Sequence, residues 1–149
     1  MNKKGVTLIE LIVVMIIIAI GAALMAPNIG GWLPNNRLRS ATRDIASAMR
    51  IAQTKAVSNN FQYRVNLNSA DVGTNSYILQ YNTGGIWVND GAIQRLPSGI
   101  IISNNTLPND RAEFNSNSTS SSGSVTLQNT KGTQRRITLA ASTGRIKVE

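Results

Sequence analysis

The apolar positions of this chain are concentrated in one uninterrupted segment near the amino terminus. From Val6 to Ala26 the one charged residue is Glu10, and Lys3 and Lys4 precede the segment. A helix of this length spans roughly 30 Å, which is the thickness of a bilayer core. The positive-inside bias then predicts a single membrane crossing with the start of the chain in the cytoplasm. A secretory signal peptide is the alternative, because it also combines a basic start with an apolar run.

The next stretch predicts a break and then a second helix. Pro27, Gly30, Gly31 and Pro34 favour a kink or hinge after the apolar segment. From Asn35 to Asn60 apolar residues recur at steps of three and four, which predicts an amphipathic helix lying on a core. The predicted core positions are Leu38, Ala41, Ile45, Ala48, Met49, Ala52 and Ala56.

Four arginines occupy the other face of this second helix: Arg37, Arg39, Arg43 and Arg50. A solvated helix surface is the first interpretation of such a charged face. A binding stripe is the alternative, and the arginines early in the helix could also contact lipid headgroups.

After Asn60 the hydrophobic period becomes two, which predicts strands. Phe61, Tyr63, Val65 and Leu67 fall on one face of the first strand, and Gln62, Arg64 and Asn66 on a solvated face. Turn signals separate further predicted strands at 77–81, 86–88, 99–103, 123–128, 135–140 and 145–148. The Asn- and Ser-rich stretch at 115–124 predicts a mobile loop. The pattern as a whole predicts an α+β fold, with a long amino-terminal helix packed on an antiparallel sheet.

Composition narrows the possible chemistry. The 149 residues, 42% of them hydrophobic, suffice for one domain, and they include no cysteine and no histidine. Disulfides, thiol nucleophiles and imidazole bases are therefore excluded, as are nearly all sites for transition metals. The seven acidic residues are not spaced as an acid/base or metal pair. We therefore expect no enzymatic activity, no metal and no cofactor.

The segment Lys3-Lys4-Gly5-Val6-Thr7-Leu8-Ile9-Glu10 resembles the processing site of type IV pilins and type II secretion pseudopilins. The resemblance implies that a prepilin peptidase cuts after Gly5 and methylates the new amino terminus at Val6. It also implies a leader at 1–5, a transmembrane and assembly helix at 6–34 and a periplasmic globular domain at 35–149. The subunit would lie in the inner membrane of a bacterium until it assembles with other pilin subunits. Val6 departs from the family, which most often has Phe at this position.

Glu10 has a physical role in this interpretation. An acid inside a membrane helix costs about 2 to 3 kcal/mol and usually has a partner. The freed amine at Val6 is a cation, so the Glu10 carboxylate of a neighbouring subunit can pair with it and set the axial register of a filament. The alternative is that Glu10 lies close enough to the cytoplasmic interface to stay hydrated.

The carboxyl-terminal half resembles the GspH/FimT branch of pseudopilins and minor pilins. The matching features are Phe114, the strand 123–127 that begins with Gly123, the strand 137–139, and the closing segment 142–147. This resemblance implies a minor filament component at or near the tip and, for some members, a part in DNA uptake.

Charge adds a DNA-binding hypothesis. The chain has 15 Lys and Arg against 7 Asp and Glu, a formal net charge of +8. Near its end, Gly144-Arg145-Ile146-Lys147 resembles a Gly-Arg-x-Arg motif of FimT-like DNA binders. The candidate DNA-binding residues are Arg135, Arg136, Arg145 and Lys147. A solvated strand face is the alternative for these four, and a membrane-anchored domain that never assembles is the alternative for the whole chain.

Overall fold

The computed structural model describes residues 5–25 and 29–149, and it divides into two compact units, one ending at Leu33 and one spanning Pro34–Glu149. In the first unit, helix α1 spans Leu8–Met25. Thr7 caps it, since the Thr7 carbonyl accepts hydrogen bonds from the N–H groups of Glu10 (3.1 Å) and Leu11 (3.3 Å). Within 5–25 and 29–149, no helix combines the length and the apolar character that a membrane crossing requires.

Helix α2 spans Ile29–Asn59 and includes Gly30, Gly31 and Pro34. The predicted break after the apolar segment falls on Pro27, which lies outside the described residues, whereas Gly30, Gly31 and Pro34 lie within α2. Proline inside a helix removes one backbone hydrogen bond and normally bends or ends it. Here the helix continues, because its residues from Leu38 onward pack on the core of the second unit.

Nine antiparallel strands form two sheets in the second unit. The first sheet has the order β3-β2-β1-β6, with β4 also paired to β2, and the second has the order β5-β7-β8-β9. The strands are β1 (Tyr63–Leu67), β2 (Ser76–Thr83), β3 (Ile86–Asn89), β4 (Gln94–Arg95), β5 (Ile100–Asn105), β6 (Arg111–Phe114), β7 (Gly123–Asn129), β8 (Gln134–Leu139) and β9 (Ile146–Val148). The α+β prediction with antiparallel strands is confirmed, while β4 and β6 were not predicted.

One core joins α2 to both sheets. The helix contributes six of its seven predicted positions as buried side chains, and Ala48 packs against them partly buried. The strands contribute apolar residues from β1, β5, β6, β7 and β8, among them Val65, Phe114, Leu127 and Ile137. All buried hydrophobic residues of the described chain lie between Leu38 and Leu139. Residues 34–149 therefore contain every buried hydrophobic residue of the described chain, and we expect them to fold on their own.

Strand β1 is buried on both faces, which corrects the prediction that Arg64 and Asn66 are solvated. Arg64 is 5% exposed, and its guanidinium lies 3.9 Å from the centre of the Trp87 ring. Its Nε donates to Gln80 Oε1 over 2.7 Å, and Nη1 lies 4.0 Å from Glu113 Oε1. Burial, and then the charge of Arg111, lower the pKa of Arg64. The aromatic ring and the polar partners explain how a charged residue is buried here.

The Asn- and Ser-rich stretch at 115–124 is hydrogen-bonded rather than an open loop. The N–H of Asn115 donates to the Thr119 carbonyl, and Ser120 forms a bridge with Phe114. The N–H of Ser120 also donates to the carbonyl of Ala141, beyond the end of β8. The stretch thus connects β6 to the other sheet.

Candidate functional site

The residues of the amino-terminal motif precede α1 in an exposed, non-helical segment. Gly5, Val6 and Thr7 are all exposed, and no atom lies within 4 Å of the position that a Cβ on Gly5 would take. The Gly5–Val6 bond therefore lies in an exposed segment outside the helix. Glu10 lies in the first helical turn of α1 and is exposed.

The surface of α1 is apolar on all sides. From Leu8 to Ile20, its large apolar side chains are between 45% (Ile12) and 78% (Leu8) exposed. A helix that is apolar all round is normally buried in a core or a membrane. Glu10 is its one charged group. The described side chains of α1 therefore form an exposed apolar surface of the kind that a core or a membrane normally covers.

Strands β8 and β9 bring three of the four candidate DNA-binding residues to one face of the second sheet. Lys147 pairs with Thr138 in the antiparallel register, and Arg145 is hydrogen-bonded to Ala140. Residues directly opposite each other point to the same side of a sheet, so Lys147 points to the same side as Thr138, and Arg145 to the same side as Ala140. Arg136 lies two positions before Thr138 and therefore shares this face. We call Arg136, Arg145 and Lys147 the strand basic face; all three are exposed.

Glu149 partly neutralises the strand basic face. Lys147 Nζ lies 2.6 Å from Glu149 Oε1, and the backbone of Glu149 pairs with that of Arg136. The hydrogen bond from Lys147, followed by the charges of Lys147 and Arg136, lowers the pKa of Glu149. Glu149 is thus ionised at neutral pH and reduces the positive charge that this face offers to a phosphate.

Arg135 does not belong to this face. It pairs with Leu127, a core residue, and therefore points to the opposite side of the sheet from Arg136. There it lines a cleft of about 150 Å³ whose other walls include Leu38 and Arg39 of α2. The period of a strand is two, so adjacent arginines cannot both reach one face.

Sequence reasoning missed a second basic surface on this side. Arg39 also lines a cleft of about 390 Å³ together with Arg43, so it is a wall common to both clefts. We call Arg39, Arg43 and Arg135 the Arg39 patch. The sequence placed Arg39 and Arg43 on an exposed helix face, but it offered no signal that Arg135 joins them.

Comparisons with known proteins find similarity in the amino-terminal motif and in the fold. Residues 1–26 match the model of the prokaryotic N-terminal methylation motif. A solved structure of the minor pseudopilin EpsH from the type 2 secretion system of Vibrio cholerae is similar, with a TM-score of 0.63 at 14% identity. That match covers 76% of this chain and 96% of the EpsH chain.

The type IV minor pilin FimU of Pseudomonas aeruginosa is also similar, with a TM-score of 0.58 at 15% identity. This match covers 77% of the present chain and 90% of the FimU chain. No curated protein matches the sequence. The chain is thus similar to type IV pilins and pseudopilins in two respects, the methylation motif at residues 1–26 and the fold shared with the two solved structures.

Proposed function

We propose that this protein is a minor pilin or pseudopilin, a structural subunit of a type IV pilus or of a type II secretion pseudopilus. The observation that carries the proposal is the apolar surface of α1, which lies within the residues that match the methylation motif. An apolar surface of this extent associates in water. Packing of α1 against the corresponding helices of other subunits supplies the cover, and this makes α1 the assembly element.

Processing precedes assembly in this proposal. A prepilin peptidase cuts the exposed bond after Gly5 and methylates Val6, and Val6 then carries a cationic amine. Thr7 already caps α1, so the helix needs no rearrangement after the cut. Before assembly, α1 lies in the inner membrane with the domain 34–149 in the periplasm. The lysines before the apolar segment support this orientation.

Glu10 provides the test of assembly. Its carboxylate lies in the first turn of an otherwise apolar helix, where only a cation from another subunit offsets the cost of burying it. Glu10→Gln keeps the size and removes the charge, whereas Glu10→Asp keeps the charge. In cells that assemble the filament, we expect Glu10→Gln to be processed normally and yet absent from the sheared filament fraction. Glu10→Asp should be retained there in part. Incorporation of Glu10→Gln at the level of the wild type would contradict the proposal.

DNA binding is the second candidate, and the strand basic face is the observation that favours it. Arg136 and Lys147 lie on one exposed face, with Arg145 at its end. Cations in this arrangement neutralise phosphates, and binding then weakens with salt. Arg135 supplies a matched control, because it is the neighbour of Arg136 and points to the other side of the sheet.

The DNA test titrates duplex DNA into residues 34–149 at several salt concentrations. If the strand basic face binds DNA, Arg136→Ala reduces the dependence of log affinity on log salt by about one ion, and Arg135→Ala leaves it unchanged. Equal effects of the two substitutions, or no binding near physiological salt, would reject DNA binding at this face.

A further inference from the structure

We propose that the Arg39 patch binds the anionic headgroups of the membrane that holds the subunit before assembly. The proposal rests on the membrane-anchored state described above, and it assigns a partner to a surface other than the proposed processing site at Gly5 and Val6 and the proposed assembly residue Glu10. The ligand chemistry is that of a phosphodiester with a net negative charge, as in phosphatidylglycerol.

The first argument is geometric. Arg39 stands between two clefts, one shared with Arg135 and one shared with Arg43. The smaller cleft is floored by Leu38, which is buried, so its walls are fixed by the core. The three arginines thus line two clefts that share Arg39 as a common wall. A guanidinium matches phosphate oxygens with two parallel N–H donors, which suits these clefts to phosphate headgroups.

The second argument concerns the position of Arg135. The side chain of Asn129, in the turn before Arg135, donates a hydrogen bond from Nδ2 to Asn35 Oδ1 over 2.9 Å. The same Asn129 accepts, at Oδ1, the N–H groups of Lys131 and Thr133, each over 2.9 Å. This buried asparagine therefore fixes the β7–β8 turn against the start of α2 within the domain. Strand β8 follows this turn, and its residue Arg135 lines the same cleft as Arg39.

The third argument is charge. None of the three arginines of the Arg39 patch forms an ion pair with any described residue. Asp44 is the acid that lines the larger cleft, and it accepts a long hydrogen bond of 3.5 Å from the Ser40 hydroxyl. Three guanidinium groups against one carboxylate leave a net positive surface. The strand basic face differs, because Lys147 is already paired with Glu149.

The fourth argument is the place of the patch along the chain. Arg39 belongs to the first turns after Pro34, where the domain begins, and the apolar segment precedes it. Trp32, in the preceding unit, is 66% exposed, and tryptophan is enriched at the level of lipid headgroups. A covalent anchor keeps the start of the domain close to the bilayer, so even weak headgroup contacts are populated. Free DNA has no such tether to this end of the domain, which favours the lipid as the partner.

The experiment measures cosedimentation of residues 34–149 with vesicles. One set contains phosphatidylglycerol and phosphatidylcholine in equal parts, and the other contains phosphatidylcholine alone. The patch variant is Arg39→Gln, Arg43→Gln and Arg135→Gln combined. The matched control is Arg136→Gln, Arg145→Gln and Lys147→Gln combined, which removes the same charge from the strand basic face.

We expect the wild type to bind the anionic vesicles only. A basic residue near an anionic surface contributes about fivefold to the partition coefficient, so the patch variant should bind on the order of 100-fold more weakly. The matched control should bind the anionic vesicles less than about tenfold more weakly than the wild type does. A charge-preserving variant with lysine at the three patch positions should retain most of the binding, and Arg39→Gln alone should cost severalfold even if the triple variant does not fold.

Three results would overturn the proposal. Equal losses in the two triple variants would mean that only net charge matters, and absence of binding to anionic vesicles at low salt would mean that the patch has no lipid affinity. Binding of duplex DNA through the Arg39 patch, without binding to vesicles, would assign the patch to nucleic acid instead. None of these results affects cleavage after Gly5 or assembly through Glu10, because the vesicle assay omits the amino-terminal segment.

Discussion

Asn129 donates a hydrogen bond to Asn35 over 2.9 Å and thereby joins two residues 94 positions apart in the sequence. Asn129 lies at the end of β7, and Asn35 lies near the start of α2 within the domain. The contact positions the β7–β8 turn, and with it Arg135, beside the helix. The contact thus fixes the position of the turn, while the register of β8, in which Arg135 pairs with Leu127, sets the face that Arg135 joins.

Replacing Asn129 tests this contact. Asn129→Ala removes the acceptor of two backbone N–H groups and the donor to Asn35. We expect the free energy of unfolding of residues 34–149 to fall by about 2 to 3 kcal/mol, because two partly buried backbone N–H groups and Asn35 lose their hydrogen-bond partner. Asn35→Ala removes only the link and should cost about 1 kcal/mol. Urea unfolding measures both, and equal losses in the two variants would show that the turn itself contributes nothing.

Gly144 is predicted to tolerate no side chain. It is buried with φ of +60°, and a Cβ there would lie 2.9 Å from the Ser118 carbonyl oxygen and against the Gln53 side chain. We expect Gly144→Ala to destabilise the domain by about 2 to 4 kcal/mol, from the left-handed backbone and the crowding together. Urea unfolding of the wild-type domain and of Gly144→Ala measures this difference in the free energy of unfolding.

Gly132 is the control for the backbone contribution. Its φ is +80°, but the nearest atom to an added Cβ, on Gln128, is 3.7 Å away. Gly132→Ala should therefore cost only about 1 to 2 kcal/mol. If Gly132→Ala is as costly as Gly144→Ala, crowding against Gln53 and Ser118 is not what restricts Gly144.

Asn66 is predicted to be replaceable by an apolar residue of the same shape. Its side chain is 0% exposed, and neither Oδ1 nor Nδ2 has a hydrogen-bond partner among the described residues. Asn66→Leu removes a buried amide without changing the branching of the side chain, and we expect it to stabilise the domain by about 1 to 2 kcal/mol. Asn66→Ala should instead destabilise it by leaving a cavity. Thermal unfolding decides, and a loss of stability in Asn66→Leu would refute this interpretation of the site.

Tyr77 is predicted to make the domain sensitive to alkali. Burial, and then the negative charge of Asp44, raise the pKa of Tyr77 above its ordinary value of 10.0. The unfolded chain therefore releases this proton at a lower pH than the folded domain does, and the free energy of unfolding falls as pH rises above about 10. Urea midpoints measured across this range should fall less steeply in Tyr77→Phe than in the wild type.

Lys55 accounts for part of the slope that remains in Tyr77→Phe. The hydrogen bond to Asp90, 2.7 Å long, raises the pKa of Lys55 above 10.5, so this pair also loses its contribution at high pH. Identical slopes in the wild type and in Tyr77→Phe would mean that Tyr77 ionises equally in both states of the chain.

The sequence predicted the elements with a strong period and missed the short or paired ones. The helix that carries Leu38, Ile45 and Met49 and most of the strands follow directly from the spacing of apolar residues. Strand β4 has only two residues, and β6 (Arg111–Phe114) has only four. Alternation of buried and less buried side chains over so few residues does not distinguish a strand from a loop. The burial of Arg64 depends on the ring of Trp87, which lies on another strand and is invisible to local patterns.

The candidate sites also differ in whether their residues are neighbours in the sequence or only in the folded structure. The motif around Gly5 and Glu10 is contiguous in the sequence and was recognised from it. The DNA-binding hypothesis required knowledge of which residues lie opposite each other, and the register of β8 separates Arg135 from Arg136. The Arg39 patch combines α2 with β8, so only the three-dimensional structure brings its residues together.

The most direct test of the central claim is the mass of the amino-terminal peptide of this protein, isolated from cells that also produce a prepilin peptidase. The account predicts a peptide that begins at Val6 and carries one methyl group on its amine. A Gly5→Val variant should remain uncut in the same cells and supplies the control. A chain from the wild type that still begins at Met1, or that is cut at a site within α1, would contradict the account.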